Sequence, residues 1–443
     1  MSQYTELLNI KAETLSPDDD GYEESLLEVS ALFRGFDEAL TAFIGEHGYN
    51  GDLADVSAKA QFLLEKFKSA NVKPPRDFKE WFVPNKKIAR KTAFQICFAF
   101  NLGIDETNNF FRCVQFERGF DCHTINEAVY YFCMRNGLSY LEAQEIIDRI
   151  PVPKKVKAIP NREVLYTRNI IEDINGIDDK EKLIQYIIDN INDFQYNNVT
   201  AIKYIQELWS EISKTDGLAA KEGAIIERTY NRFEDKRKKK EYKYAPLLPG
   251  QKCDTRSAEV IAKEIRQQAE YVKPYDYVVA GSDAATWIIF SQIIGLANYQ
   301  KSKYDTKEYN RSLSSVLSEN KLMPLKADYC FPSRQNIDKL IRGDLVGNNE
   351  IIRKMLIFLV FYTHWAKFII SKNDAFYSAK FSDAERCLDT INARLLDAGY
   401  PELYAGNPYD WIFKWALNDE NPLIAFRHYM GEVFAVKEEN TED

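Results

Sequence analysis

Two polar runs about 260 residues apart carry side chains that can contact bases and phosphates. The first run is Pro75–Phe82 and contains Arg76 and Lys79. The second run is Pro332–Ile341, with the candidate contact residues Ser333, Arg334, Gln335, Asn336 and Lys339. Arginine suits guanine edges, asparagine and glutamine suit adenine edges, and lysine neutralises phosphates. The alternative interpretation is that both runs are ordinary solvated helix faces.

Each polar run precedes an apolar segment that opens with Arg-Lys. Ile88–Phe100 contains Arg90-Lys91, and Ile351–Tyr362 contains Arg353-Lys354. The pattern predicts a short polar helix, a break, and a buried helix behind it. Helix-turn-helix modules present a reading helix to DNA in this way, so we expect the short helices near Arg76 and Arg334 to approach the major groove.

The run Phe331–Gly343, followed by Asn349–Lys354, resembles the phage-repressor (XRE-like) class of helix-turn-helix proteins. The first copy is similar, but Val83–Asn85 stands where Gly343 falls in the second. Leu396–Trp411 resembles an extension found in some such proteins of Firmicutes and their mobile elements. The resemblance implies a bacterial or mobile-element DNA-binding regulator of transcription.

The match between the two copies continues beyond the polar runs. Gly119-Phe120 corresponds in pattern to Gly399-Tyr400, and Asn126–Phe132 corresponds to Asn407–Phe413. Self-similarity in a fixed order indicates internal duplication. Convergence of two helical patterns is the alternative.

Charge favours nucleic-acid binding only locally. The net charge is −9, which repels phosphates, so basic residues must be concentrated on a surface. Residues 73–91 hold seven basic and two acidic residues, including the candidate phosphate contacts Lys86, Lys87 and Arg90. Charge balance against the acidic N-terminal segment is an equal alternative.

A second basic segment, residues 228–243, holds eight basic and three acidic residues. Its candidate contacts are Lys236, Arg237 and Lys238. The segment could track phosphates as a flexible arm, or it could be a solvated helix end before a proline-rich loop.

Four cysteines and one histidine fall within the first copy: Cys97, Cys113, Cys122, His123 and Cys133. Their spacing lacks the Cys-x₂-Cys pair of structural zinc sites. Free cysteine in an apolar helical stripe packs as a small hydrophobe. We therefore expect no metal site.

Signatures of catalysis are absent from the sequence, which has no phosphate-cradling glycine loop, no H-E-x-x-H and no G-x-S-x-G motif. We expect a non-enzymatic protein without a cofactor. The N-terminal residues lack a signal-peptide pattern, and the longest apolar run, Met355–Tyr362, is short for a membrane span. The seven cysteines suit a reducing compartment. These features predict a cytoplasmic protein without membrane contact, and they leave the oligomeric state open.

Apolar residues recur at helical spacing along most of the chain, which predicts an all-α fold. We expect two helix-turn-helix-like modules flanking a helical middle region. The expected divisions are a mobile N-terminus (1–20), a first module (21–152), a middle region (161–310), a second module (311–436) and a disordered tail (437–443). The leading function is DNA binding, and the alternative is a helical protein-interaction scaffold with degenerate helix-turn-helix units.

Overall fold

A computed structural model describes residues 3–16, 22–84, 86, 88–151, 167–195, 198–226, 228, 286–294, 334–344, 349–375 and 377–427. Every regular element within these ranges is helical, which confirms the all-α prediction. The first eight α-helices are α1 Gln3–Thr14, α2 Tyr22–Leu32, α3 Phe36–Glu46, α4 Val56–Ser69, α5 Arg90–Ala99, α6 Ile104–Phe110, α7 Ile125–Arg135 and α8 Tyr140–Asp148. The next eight are α9 Thr167–Asn175, α10 Lys180–Asp189, α11 Val199–Ser213, α12 Thr286–Ile293, α13 Arg334–Ile341, α14 Asn349–Lys372, α15 Phe381–Asp397 and α16 Pro408–Ala416.

Several shorter helical segments complete the described fold. Phe78–Phe82 and Asp193–Gln195 are 3₁₀-helices, and α6 continues into a π-helical turn at Phe111–Gln115. Residues 218–226 and 422–427 are also helical.

Local sequence signals account for several helix ends. The Asp55 carboxylate accepts hydrogen bonds from first-turn amides of α4. Ser139 forms a capping box with Glu142 at the start of α8, as the Ser-x-x-Glu pattern of the sequence predicts. Asn101 and Asn373 follow α5 and α14 with φ angles of 52° and 54°. Asparagine tolerates this left-handed conformation better than most residues, so it can end a helix as glycine often does.

The buried apolar residues form two cores. The first core extends from Phe36 to Phe194 and is built by α3 to α10. The second core combines Leu8–Phe33 with Ala201–Phe426, so α1 and α2 pack with the C-terminal helices. The cores therefore divide between Phe194 and Ala201, inside the expected middle region, because α9 and α10 contribute apolar faces to the first core.

The N-terminal segment differs from the expected mobile lead-in. Residues 3–14 form α1, which buries Leu8 completely. The indole N–H of Trp411 donates to the Leu8 carbonyl at 3.0 Å, and that of Trp415 donates to the Leu15 carbonyl at 2.8 Å. These contacts hold α1 against α16.

Helix α14 is the central element of the second core, and it packs along α11 and α15. By length and composition alone α14 could cross a membrane, which differs from the expectation that no segment is long enough. However, 72% of its most apolar window is buried inside the protein, and a core helix meets the same criteria.

A buried polar junction joins the two cores. Arg118 is fully buried; its guanidinium donates to the Asn198 side-chain oxygen at 2.6 Å and to the Ala398 carbonyl at 2.9 Å. Arg118 also pairs with Asp121 at 3.1 Å, while the Tyr400 hydroxyl donates to the same Asn198 oxygen at 2.7 Å. The junction therefore connects loops of the first core to the end of α15 in the second.

Candidate nucleic-acid interface

The described basic residues of the first copy lie in the connection between α4 and α5 and in the first two residues of α5, Arg90 and Lys91; we call residues 73–91 the basic turn. Between α4 and α5, the described helical part of the basic turn is the 3₁₀-helix Phe78–Phe82, which is five residues long, where the sequence predicts a short polar helix. Trp81 and Phe82 are buried because they pack on α3 and α4. A 3₁₀-helix rises about 2 Å per residue, so this element spans only about 10 Å.

A buried lysine of α4, Lys59, contacts the inner side of the basic turn at Phe82. The Lys59 ammonium donates to the Thr41 hydroxyl at 3.1 Å and lies 4.9 Å from the centre of the Phe82 ring. Burial lowers the pKa of Lys59, and nearby carboxylates only partly offset this effect. The Trp81 ring also lies 6.3 Å from that of Phe67. The turn is therefore anchored by its own aromatic residues.

Most of the described charged side chains of the basic turn are exposed to solvent. Lys73, Arg76, Lys79 and Lys91 are exposed, and none forms an ion pair with a carboxylate in the described part of the chain. Lys86 is exposed as well, but it pairs with Glu80 at 2.5 Å, and this contact raises the Lys86 pKa. Four cations are thus available to an anionic partner.

Arg90, expected to contact phosphate, has a structural role instead. Its guanidinium donates to both Glu127 oxygens at 2.6 and 2.8 Å, to the Arg118 carbonyl at 2.8 Å and to the Gly119 carbonyl. Burial opposes the charge, but Glu127 and Glu117 outweigh it and raise the Arg90 pKa. The donors are directed at protein oxygens, which leaves little capacity for phosphate.

The second predicted reading helix corresponds to α13. Ile337 and Leu340 are fully buried, and α13 packs on α11 and α12. Lys339 is exposed, but its neighbour Asp338 is exposed too, so this described surface is not strongly basic. The structure describes the backbone of three further candidates in α13 but not their side chains: Arg334, Gln335 and Asn336. The remaining candidate contacts lie outside the described residues: Lys87, Ser333, Lys236, Arg237 and Lys238.

An equivalent buried ion pair occurs in each copy. Arg353, the fifth residue of α14, pairs with Asp410 at 2.6 and 2.7 Å, as Arg90, the first residue of α5, pairs with Glu127. Glu127 and Asp410 are each the third residue of their helix. Each also accepts the backbone N–H of the residue six positions earlier, at 2.5 and 2.9 Å respectively.

The aromatic contacts repeat in the same register. Phe98 lies eight residues after Arg90, and Phe361 lies eight after Arg353. Phe98 meets Tyr130 edge-on at 5.5 Å and 77°, and Phe361 meets Phe413 at 5.1 Å and 76°. We call these two arrangements the first unit and the second unit. Their shared register supports the prediction of internal duplication.

This register differs by two residues from the match made on sequence. The sequence pattern pairs Asn126 with Asn407, whereas the helix starts and the ion pairs place Thr124 opposite Asn407. Sequence reasoning also missed Glu127 and Asp410 as partners of the Arg-Lys arginines. The available signal was an acidic residue three positions after a capping residue, in both copies.

The thiols and the histidine near the first unit are largely buried. Cys97, Cys122 and Cys133 are buried free thiols, and burial raises the pKa of Cys133 to about 12. His123 is fully buried; burial lowers its pKa, and its Nδ1 lies 3.0 Å from the Asp193 carbonyl. A carbonyl only accepts hydrogen bonds, so Nδ1 carries a proton, and the lowered pKa favours the neutral ring. These groups pack in the first core.

Comparisons with protein-family models, with curated proteins and with solved structures give no match.

Proposed function

We propose that this protein binds nucleic acid through the basic turn, chiefly by contacts to phosphates. The observation that supports the proposal is the set of exposed cations Lys73, Arg76, Lys79 and Lys91, which have no carboxylate partner among the described residues. The buried Trp81 and Phe82 hold the turn against the first core, so these cations are presented from a fixed support. A regulatory role in transcription, implied by the resemblance, belongs to the same proposal.

The short length of the 3₁₀-helix Phe78–Phe82 limits how it could contact DNA bases in the major groove. A base-reading element in the major groove is normally an α-helix or a two-stranded ribbon that reaches several base pairs. Phe78–Phe82 is a single short 3₁₀ segment in which Trp81 and Phe82 are buried. The basic turn therefore suits sequence-independent phosphate binding, and α13 is the proposed source of base contacts in duplex DNA.

The overall acidic charge favours one orientation on the partner. With a net charge of −9, most of the surface repels phosphates, and binding through the basic turn keeps that surface away from the nucleic acid. Such binding depends steeply on salt, because each phosphate contact releases a condensed counterion.

The experiment is a salt series of binding to a random-sequence duplex, monitored by fluorescence anisotropy. We expect affinity to fall steeply with salt and the double variant Arg76→Glu, Lys79→Glu to bind much more weakly. Lys182→Glu is the matched control, because Lys182 is exposed on α10 outside the basic turn. The absence of binding by the wild type at low salt, for both duplex and single strand, would contradict the proposal.

A helical interaction scaffold is the second candidate. Phe381 is 76% exposed and Leu396 is 54% exposed on α15. Their spacing of fifteen residues places them within about 60° on the helix, and large exposed apolar side chains are common at protein interfaces. Self-association measured by sedimentation velocity should weaken in Phe381→Asp if this face contacts a second copy of the chain.

A further inference from the structure

A cavity of about 390 Å³ opens beside the Arg90–Glu127 pair of the first unit. Lys91, Asn126 and Glu127 contribute to its polar side, and Phe94 and Tyr130 contribute to its apolar side. Small-molecule sites in proteins commonly have volumes of about 300–1,000 Å³ and combine an apolar wall with a few polar groups.

In the second unit, a tyrosine occupies the corresponding position. Tyr409 is the second residue of α16, and Asn126 is the second residue of α7. The Tyr409 ring lies 5.0 Å from that of Phe413, and the Lys354 ammonium lies 5.3 Å from its centre. The Tyr409 hydroxyl donates to the Lys354 carbonyl at 2.8 Å. Tyr409 is only 1% exposed and Lys354 only 3%.

In the first unit, the same surroundings lack that ring. Lys91 follows Arg90 as Lys354 follows Arg353, and Tyr130 follows Glu127 by three residues as Phe413 follows Asp410. Lys91, Tyr130 and Asn126 all line the cavity. Asn126 is too short to cover Lys91, which is exposed. The first unit thus has a space where the second has its own aromatic side chain.

We propose that this cavity binds one unstacked nucleobase of single-stranded nucleic acid, in the position that Tyr409 fills in the second unit. A base offers the same features as the tyrosine ring: a flat π-face for the Lys91 ammonium and for Tyr130, and an N–H donor for the Lys91 carbonyl. The inference rests on the proposed function, because Lys91 belongs to the basic turn that contacts the backbone. Bases of an intact duplex are stacked and cannot enter.

The test compares a short oligo-deoxythymidine strand with a duplex of equal length, on the wild type and on Asn126→Tyr. The new tyrosine should fill the cavity as Tyr409 does. We expect the variant to lose about 5- to 150-fold in single-strand affinity, the range for removal of one base–aromatic contact, and to bind duplex as the wild type does. Asn126→Ala leaves the cavity open and is the matched control. If Asn126→Tyr fails to fold, Ile147→Phe is the second variant, because Ile147 also lines the cavity and a larger side chain there should fill part of it.

The outcomes separate the inference from the proposed function. Equal single-strand affinity of Asn126→Tyr and the wild type, with duplex binding intact, overturns the nucleobase site and leaves the proposed function standing. Failure of the wild type to bind either nucleic acid overturns both. N-acetyl-tyrosinamide, tested by calorimetry, is the probe for an aromatic side chain of a protein partner. If N-acetyl-tyrosinamide binds the wild type and Asn126→Tyr keeps its single-strand affinity, the cavity binds an aromatic side chain of a protein partner. That result would overturn the nucleobase assignment.

Discussion

The guanidinium of Arg118 lies over the ring of Tyr400, with its central carbon 4.7 Å from the ring centre. Arg118 belongs to a loop of the first core and Tyr400 to the second core. Burial raises the pKa of Tyr400, so its hydroxyl stays protonated and continues to donate to Asn198. One stacked cation therefore connects two separately built cores.

Replacing Arg118 with methionine should weaken this connection. The change leaves Asp121 buried without its cation, and the loss of one partner from a buried pair costs about 3–5 kcal/mol. We expect urea unfolding, followed by circular dichroism and by tryptophan fluorescence, to separate into two transitions. Arg149→Met is the control, because Arg149 and Glu181 form an exposed pair, and it should unfold like the wild type. A single unshifted transition in Arg118→Met would contradict this role.

The Arg353–Asp410 pair allows a double-mutant cycle. Arg353→Met leaves the Asp410 carboxylate, 1% exposed, without its cation, and we expect a loss of about 3–5 kcal/mol in the free energy of unfolding. Adding Asp410→Leu removes the stranded charge, so the double variant should recover much of that loss. Chemical denaturation of all four proteins measures the coupling. Additive losses would show that the two side chains act independently.

Salt dependence can count the phosphate contacts of the basic turn. Each lysine or arginine that contacts a duplex phosphate contributes about 0.9 to the slope of log affinity against log salt. Arg76→Ala and Lys79→Ala should each reduce the slope by about that amount, because both side chains are exposed without a described carboxylate partner. Lys182→Ala should leave it unchanged. A wild-type slope in both basic-turn variants would place the contacts elsewhere.

Acid pH should destabilise the first core through His123. Burial lowers the pKa of His123 below its ordinary value of about 6.5, so the unfolded chain binds the proton more readily. At higher pH the histidine is neutral in both the folded and the unfolded chain, so it does not make stability depend on pH. As the pH drops below about 6.5, the unfolded chain takes up the proton first, and the free energy of unfolding falls. In His123→Gln, the stability difference between about pH 8 and about pH 5 should shrink. Partial burial also lowers the pKa of the half-buried His364, so part of the difference should remain.

Apolar periodicity predicts the helical class, and the Ser-x-x-Glu pattern predicts the capping box at Ser139, because both depend on local sequence. The ion pairs of Arg90 and Arg353 could not be predicted in this way. Their partners lie 37 and 57 residues away, on helices whose placement depends on packing. From sequence alone, an arginine in the first turns of a helix is interpreted as an exposed cation, because the buried carboxylate that pairs with it is distant in the chain. The role of Arg90 was therefore missed, whereas the exposure of Arg76 and Lys79 agrees with their polar surroundings.

The contact between Trp411 and Leu8 has a consequence for synthesis on the ribosome. The two residues are 403 positions apart, so the buried face of α1 emerges long before α16 exists. Among the described residues, those that build the first core all lie between Phe36 and Phe194, so this core can form early in translation. Leu8 cannot contact Trp411 until nearly the whole chain has emerged from the ribosome. A nascent chain stalled before α16 would expose this helix and become a natural substrate for chaperones and proteases.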